Sequence, residues 1–321
     1  MSTPANIYDW QPTAQLPALQ ARALMLSQIR QFFAEREVLE VETPLMCARS
    51  ITDPYIQPFL VHGKYLQTSP EYAMKRLLAA GSGSIYQVCK AFRQEEIGNM
   101  HNTEFTMLEW YRLGFDHKQL MDEVDALLQL LLDNKQPANK RSYADIFHEF
   151  IGINPHTADI AELQACAIEH NIKLSASVSA ELNITDWLQL LMSHVIEPQL
   201  TGALPWIIYD FPAPQAALAK VIAGEYPVAA RFEVYMQGIE LANGYYELLE
   251  SAEHVKRFAQ DNIKREQLSL NIHQPDERLL AALDVGMPDC AGIALGLDRV
   301  LMLKLQKKSI ADVLSFTANN A

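Results

Sequence analysis

Apolar and polar positions alternate along this chain with two periods, and the switches between them mark out its elements. Between residues 18 and 37, Leu19, Met25, Ile29, Phe32 and Phe33 recur at helical spacing with Arg and Glu between them, which predicts an amphipathic helix. Val38 to Thr43 then has strand character and stops at Pro44. Ser69-Pro70-Glu71 is a helix start: a capping serine, a proline at the first helical position and an acid at the positive end of the dipole, in a helix that runs to Gly81. Ile85 to Phe92 and Glu104 to about Leu113 read as two strands joined by a polar loop, an antiparallel hairpin with an unusually long tip. In the second strand the period of two puts Phe105, Met107, Glu109 and Tyr111 on one face, and an acid among aromatics there suits a pocket better than a plain core.

Residues 117–134 predict a second amphipathic helix, and residues 140–200 look mainly helical without a motif. Trp206 to Phe211 reads as a short buried strand ended by Pro212, residues 231–249 as a hairpin turning at Gln237-Gly238, and residues 251–268 as a charged helix. The last element, Gly286 to Arg299, is glycine-rich and reads as a strand passing into a helix. No repeat or flexible linker interrupts the chain, so the expectation is one α+β domain over residues 1–321, an antiparallel sheet flanked by helices.

Composition narrows the class of function. The chain is 49% hydrophobic and 20% charged with a net charge of −13, a soluble profile and a poor one for nonspecific nucleic-acid or membrane-surface binding. Cys47, Cys89, Cys166 and Cys290 are scattered, which argues against a disulfide framework or a zinc site. The N-terminus lacks a basic stretch followed by an apolar run, and the densest apolar stretch, Leu127 to Leu132, is too short to span a bilayer. A cytoplasmic protein with no membrane partner is expected.

Candidate chemistry sits in four places. Phe92-Arg93-Gln94-Glu95 puts an arginine at a strand end, where it can grip a phosphate or carboxylate, with a glutamate able to accept from an adenine amino group. Phe105 lies where a base could stack. Glu233, Glu240, Asn243 and Glu247 put three acids and an amide in a segment suited to a buried hairpin; such acids either face solvent or bind cations, Mg²⁺ or a substrate amine. The glycine-rich run ends in Arg299, and glycines let backbone and ligand approach closely. Taken singly, each has a bland reading: a surface ion pair, a core aromatic, a solvated face, a turn.

Together, their order and spacing resemble the class II aminoacyl-tRNA synthetase signature. The first helix with Val38 to Pro44 resembles motif 1, Phe92-Arg93-Gln94-Glu95 through Phe105 resembles motif 2, and Gly292 to Arg299 resembles motif 3, with Asp298 where many class II enzymes have Glu. Thr68-Ser69-Pro70-Glu71, His101 to Glu109, Arg231-Phe232-Glu233 and Glu240 to Gly244 are similar to the lysine branch. The resemblance runs from about residue 20 to the end.

The resemblance implies ATP and Mg²⁺ as cofactors and a lysine-type amino acid as substrate. It implies that Arg93 and Arg299 are catalytic, with Arg93 holding the α-phosphate and the substrate carboxylate, and that Phe105 and Arg299 sandwich adenine. Gln94, Glu95, Asn102, Glu240, Leu241 and Gly296 complete the implied ATP site, and Glu233 and Glu240 the implied metal site. Ser69, Pro70, Glu71, Tyr111, Asn243, Glu247 and Ala294 form the implied amino-acid site, Glu71 and Glu247 supplying one carboxylate for each substrate ammonium. Motif 1 implies a homodimer.

Two features depart from lysyl-tRNA synthetases. The first helix begins near residue 18, which leaves no room for the anticodon-binding domain, so tRNA is not expected as a partner. Ala294 stands where the synthetase pattern has glycine, and one methyl in a tight pocket is worth about 1–3 kcal/mol of discrimination. Both departures, with Phe211 to Ala216, resemble a bacterial group of paralogues that attach a β-lysyl group to elongation factor P. That implies activation of (R)-β-lysine as an adenylate and its transfer to a lysine ε-amine of elongation factor P. Two alternatives stay open: a truncated enzyme charging tRNA or a small acceptor with lysine, and a non-catalytic regulatory paralogue.

Overall fold

The computed structural model describes residues 10–94 and 98–321. Its elements run, in chain order, α1 (Leu16–Ala34), β1 (Leu39–Glu40), β2 (Met46–Cys47), β3 (Leu60–Val61), β4 (Lys64–Leu66), α2 (Glu71–Ala79), β5 (Ile85–Phe92), β6 (Glu104–Leu113), α3 (His117–Leu131) and β7 (Asn139–Ser142). They continue with α4 (Tyr143–Ile151), α5 (Ile160–Glu169), α6 (Ala176–Glu181), α7 (Ile184–Leu191), β8 (Trp206–Pro212), β9 (Val221–Ile222), β10 (Val228–Met236), β11 (Ile239–Tyr246), α8 (Ser251–Gln267), α9 (Glu277–Val285), β12 (Cys290–Gly296) and α10 (Leu297–Lys304).

The main sheet has the order β1-β5-β6-β12-β11-β10-β8-β7, with β9 paired to β10. Its inner pairs are antiparallel, and only the outermost, β1 with β5 and β7 with β8, are parallel. Strands β2, β4 and β3 form a separate small sheet. This is the expected mixed architecture, a large central sheet flanked by helices. Among the described residues no helix is long and apolar enough to cross a membrane.

Alternation along the strands decides what each face does. Leu108, Trp110, Ile293, Leu295, Ala242, Phe232 and Val234 share one face and are buried with Met25, Ile29, Phe32 and Phe33 of α1 and the apolar sides of α3 and α10. Each such Leu, Ile or Phe contributes about 1.5–3 kcal/mol by leaving water. Leu19, expected on the buried face of α1, is only half-buried, while Ala18 is buried. On the opposite face two further cores leave a gap: α4, α5 and α7 pack over β8 and β10, and α2, α8 and α9 pack over the ends of β5, β6 and β12. The gap between them is where the site lies.

Local chemistry sets the element ends. Asp116, Ser142, Asp159 and Asn183 each close a capping box with the residue three positions on. Gln237 and Gly238 both have positive φ, 53° and 74°, as a two-residue turn between β10 and β11 requires. Two expectations are corrected. The strand over 38–43 shrinks to Leu39–Glu40, because it pairs on one side only and Thr43 and Pro44 turn the chain away. The helix opened by Ser69-Pro70 begins at Glu71, whose N–H donates to Ser69 Oγ at 3.0 Å, and ends at Ala79 before Gly81, at φ 87°.

Candidate functional site

Residues paired directly opposite one another on neighbouring strands project to the same face. The register links Gln87, Glu109, Ala294, Asn243 and Glu233 in one row across β5, β6, β12, β11 and β10. A parallel row two residues along holds Tyr111, Gly292, Tyr245 and Arg231. A β-bulge after Val234 skips Leu241 and sets Glu240 opposite Tyr235, so Glu240 joins the face that carries Glu233. Residues far apart in sequence thus share one polar sheet face.

This face floors a cleft of about 1140 Å³. Arg93, Asn102, Phe105 and Arg299 line one side, and Glu233, Glu240, Leu241, Asn243, Ala294 and Gly296 line its floor. The Arg93 guanidinium lies 5.1 Å from the Phe105 ring centre, and its backbone N–H donates to Thr103 O at 3.0 Å. Arg299 reaches the turn before β6: it donates to Met100 O at 3.3 Å and to Glu240 O at 2.7 Å, and meets His101 Nε2 at 2.6 Å. Asn102 is turned to structural work, donating to Glu104 O at 2.7 Å and accepting from Ala318 N at 3.1 Å. Gln94 does not line the cleft; its amide donates to Pro58 O at 2.8 Å. Glu95 lies outside the described residues.

Acids converge at the far side of the floor. Glu233 is held between Arg231 and the Tyr235 hydroxyl. Burial and then the neighbouring Glu233 push Glu240 and Glu197 each up to about 7. Arg231 is half-buried, and Glu233 outweighs desolvation and keeps it firmly charged. Among the described residues no group of three or more His, Cys, Asp or Glu side chains is arranged to hold a metal ion. The donors are nonetheless hard carboxylate oxygens whose mutual repulsion a divalent cation would relieve, so Glu240 and Glu233 fit Mg²⁺ in chemistry.

The remaining expected residues, Ser69, Pro70, Glu71, Tyr111 and Glu247, do not line this cleft. They gather on the same sheet face around Lys75, a residue not expected from the sequence. Lys75 Nζ lies 2.6 Å from Glu71 Oε1 and 2.7 Å from Glu247 Oε2. Both carboxylates expected to meet a substrate ammonium are therefore already shared by an internal one. Beside them Glu109, 2% exposed, accepts from Ser69 Oγ and from the Tyr111 hydroxyl, each at 2.7 Å, and burial followed by Glu71 pushes it up to about 8. Gly292 is required here, because a Cβ would sit 2.3 Å from the Tyr111 ring and 2.6 Å from Glu247 Oε1.

Other contributors had no motif to betray them. Glu197, Met192, Gln189 and Asn183 bring the segment that read as silent helix onto the cleft wall. A signal existed for Lys75 in its spacing of four from Glu71, but that spacing reads as a surface pair until Glu247 arrives from elsewhere in the chain.

Comparison with known proteins finds similarity over nearly the whole chain. The family model for tRNA synthetases class II (D, K and N) matches residues 5–320. A Mannheimia succiniciproducens protein named elongation factor P–(R)-β-lysine ligase is 47% identical over 322 residues, covering 97% of this chain and 98% of that one. Proteins of the same name from Salmonella dublin and Vibrio cholerae are 48% and 49% identical, the latter covering 96% of this chain and 97% of its own.

Proposed function

Because the chain belongs to the class II tRNA synthetase family (D, K and N), with relatives of one name matching it over nearly their whole length, we propose that it is an ATP-dependent elongation factor P–(R)-β-lysine ligase. The observation that carries this reading beyond the relatives' names is the shared sheet face. It carries Glu109, Ala294, Asn243 and Glu233 in one row, and the last three line the same cleft as Arg93 and Arg299, which supports a site for a phosphate and an amine-bearing substrate.

In this reading Arg93 draws the substrate carboxylate and the α-phosphate together, so that a carboxylate oxygen attacks phosphorus and pyrophosphate leaves. Phe105 and Arg299 flank adenine, and Glu95, Leu241 and Gly296 complete the nucleotide site. Mg²⁺ bound at Glu233 and Glu240 would neutralise phosphate charge. Ser69, Glu71, Tyr111, Asn243, Glu247 and Ala294 orient the amino acid, with Ala294 limiting room near its backbone. The acceptor lysine amine then attacks the activated carbonyl, the carbon–oxygen bond to AMP breaks, and the amine proton goes to solvent. A net charge of −13 favours a protein acceptor over a nucleic acid, and this reading has no tRNA. Exposed Leu24 and Leu39, on α1 and β1, support a homodimer through that region. Residues 1–321 then act as one catalytic domain, in the cytoplasm.

The test is the intact mass of elongation factor P after incubation with the enzyme, Mg-ATP and (R)-β-lysine. A gain of one β-lysyl unit on a single lysine is expected. No gain, with ATP–pyrophosphate exchange still active, would keep the activation step and point to another acceptor.

A further inference from the structure

Lys75 has no exposed surface, although α2 has solvent on its other side. A buried ammonium is costly unless paired, and this one has two carboxylates, Glu71 and Glu247, within ion-pair distance, with Glu109 as a third acid close by. Burial opposes its charge, but Glu247 and then Glu71 outweigh burial, so Lys75 is held more firmly protonated than a free lysine. The acids move the other way. Burial raises Glu247 despite Lys75, and Glu71 adds to the rise. The two directions are compatible: one cation serves two carboxylates, so the cation is over-paired and each carboxylate is under-paired.

The other titratable groups facing this centre are neutral near pH 7. His254 on α8 is pushed down to about 4 by burial and then by Lys75. Tyr72 on α2, Tyr111 on β6 and Cys290 on β12 are all raised by burial. Glu109, pushed up to about 8, is largely protonated there too, so the charge of the centre belongs to Glu71, Glu247 and Lys75.

We infer that Lys75 is a built-in counter-ion that sets the charge of the amino-acid pocket: the two carboxylates it bridges, Glu71 and Glu247, against one fixed ammonium leave one negative charge, the complement of a substrate with two ammonium groups and one carboxylate. The inference rests on the assignment of Glu71 and Glu247 to the amino-acid site. Lys75 is a positioning residue; it keeps the acids ionised and in place before the substrate arrives. Without it, a proton would have to take over its charge, and binding of the amino acid would become coupled to pH.

The experiment is the pH dependence of the amino-acid KM in ATP–pyrophosphate exchange, for the full-length enzyme and for Lys75→Met and Lys75→Arg. In the parent, KM falls as the acids ionise. In Lys75→Met the lost positive charge delays ionisation, so that fall moves up by about one pH unit, KM at pH 7 rises about tenfold, and KM for ATP does not change. Lys75→Arg restores the parent profile. A Lys75→Met profile scaled in KM but unmoved in pH would overturn the inference and leave Lys75 a packing residue. If Lys75→Met does not fold, Lys75→Gln serves, because it removes the same charge with a polar side chain; the same upward move of the KM fall is expected, and an unmoved profile would sink the idea. If neither Glu71→Gln nor Glu247→Gln alters the amino-acid KM, the pocket assignment itself fails, and this inference with it.

Discussion

The guanidinium of Arg22, on the first helix, is ion-paired to the carboxylate of Asp298 at the start of the last one. Asp298 is 2% exposed, and its other oxygen accepts from the backbone N–H of Thr106 at 2.6 Å. Arg22 also donates to Val313 O at 2.9 Å. One aspartate thereby ties α1, β6 and the start of α10; it precedes Arg299 in the chain and holds the backbone of Thr106, the residue after Phe105. The acid that stands where many class II enzymes have Glu is thus a structural clamp beside the part of the cleft lined by Arg299 and Phe105.

Removing the cation from that clamp leaves a buried carboxylate unpaired, which costs about 3–5 kcal/mol. Arg22→Met should lower unfolding stability by that order in a denaturant titration. It should also raise KM for ATP more than KM for the amino acid, because the clamp stands behind Arg299 and Phe105.

Ala294 lines the cleft and lies directly opposite both Glu109 and Asn243. Ala294→Gly should improve use of α-lysine relative to (R)-β-lysine by about tenfold, the worth of one methyl in a tight pocket. Competition of the two isomers in ATP–pyrophosphate exchange measures it, and an unchanged ratio would place the selectivity elsewhere.

Glu247 is 1% exposed and shares Lys75 with Glu71. Glu247→Gln should raise the amino-acid KM by at least about tenfold with little change for ATP. Equal effects on both would contradict its place in the amino-acid site.

Glu109 gives a pH signature in stability. Its native pKa, about 8, lies above the ordinary carboxyl value, so the folded chain holds a proton that the unfolded chain releases. Stability is accordingly lost as pH rises from about 4 to 8. Glu109→Gln removes that loss, so its melting temperature relative to the parent should be more favourable at pH 8 than at pH 5. A constant difference would mean that Glu109 is ionised throughout.

Much of this was legible before any coordinates. The hairpin of β5 and β6, the Gln237-Gly238 turn and the strand-to-helix passage at Gly296 follow from alternation and turn chemistry, which are local. The oddity of Glu109 among aromatics was legible for the same reason. What escaped was non-local. Lys75 and Arg22 look like ordinary helix-surface cations until Glu247 and Asp298 come to them from distant segments. Glu197 follows a π-helical turn over Met192–Ile196, whose widened backbone no periodicity announces. Val38 to Thr43 misled because strand propensity does not say whether a second neighbour is there to pair with.

The row from Gln87 through Glu109, Ala294 and Asn243 to Glu233 has a consequence for how this protein can change. Its spacing is inherited from strand pairing, so slipping any one of five strands by a residue would turn that strand's share of the pocket into the hydrophobic core. Single substitutions can retune such a site one side chain at a time. Insertions and deletions within these strands cannot, and tolerated length changes should fall in the loops. For the same reason the pocket should not assemble piecemeal during folding, but close together with the sheet.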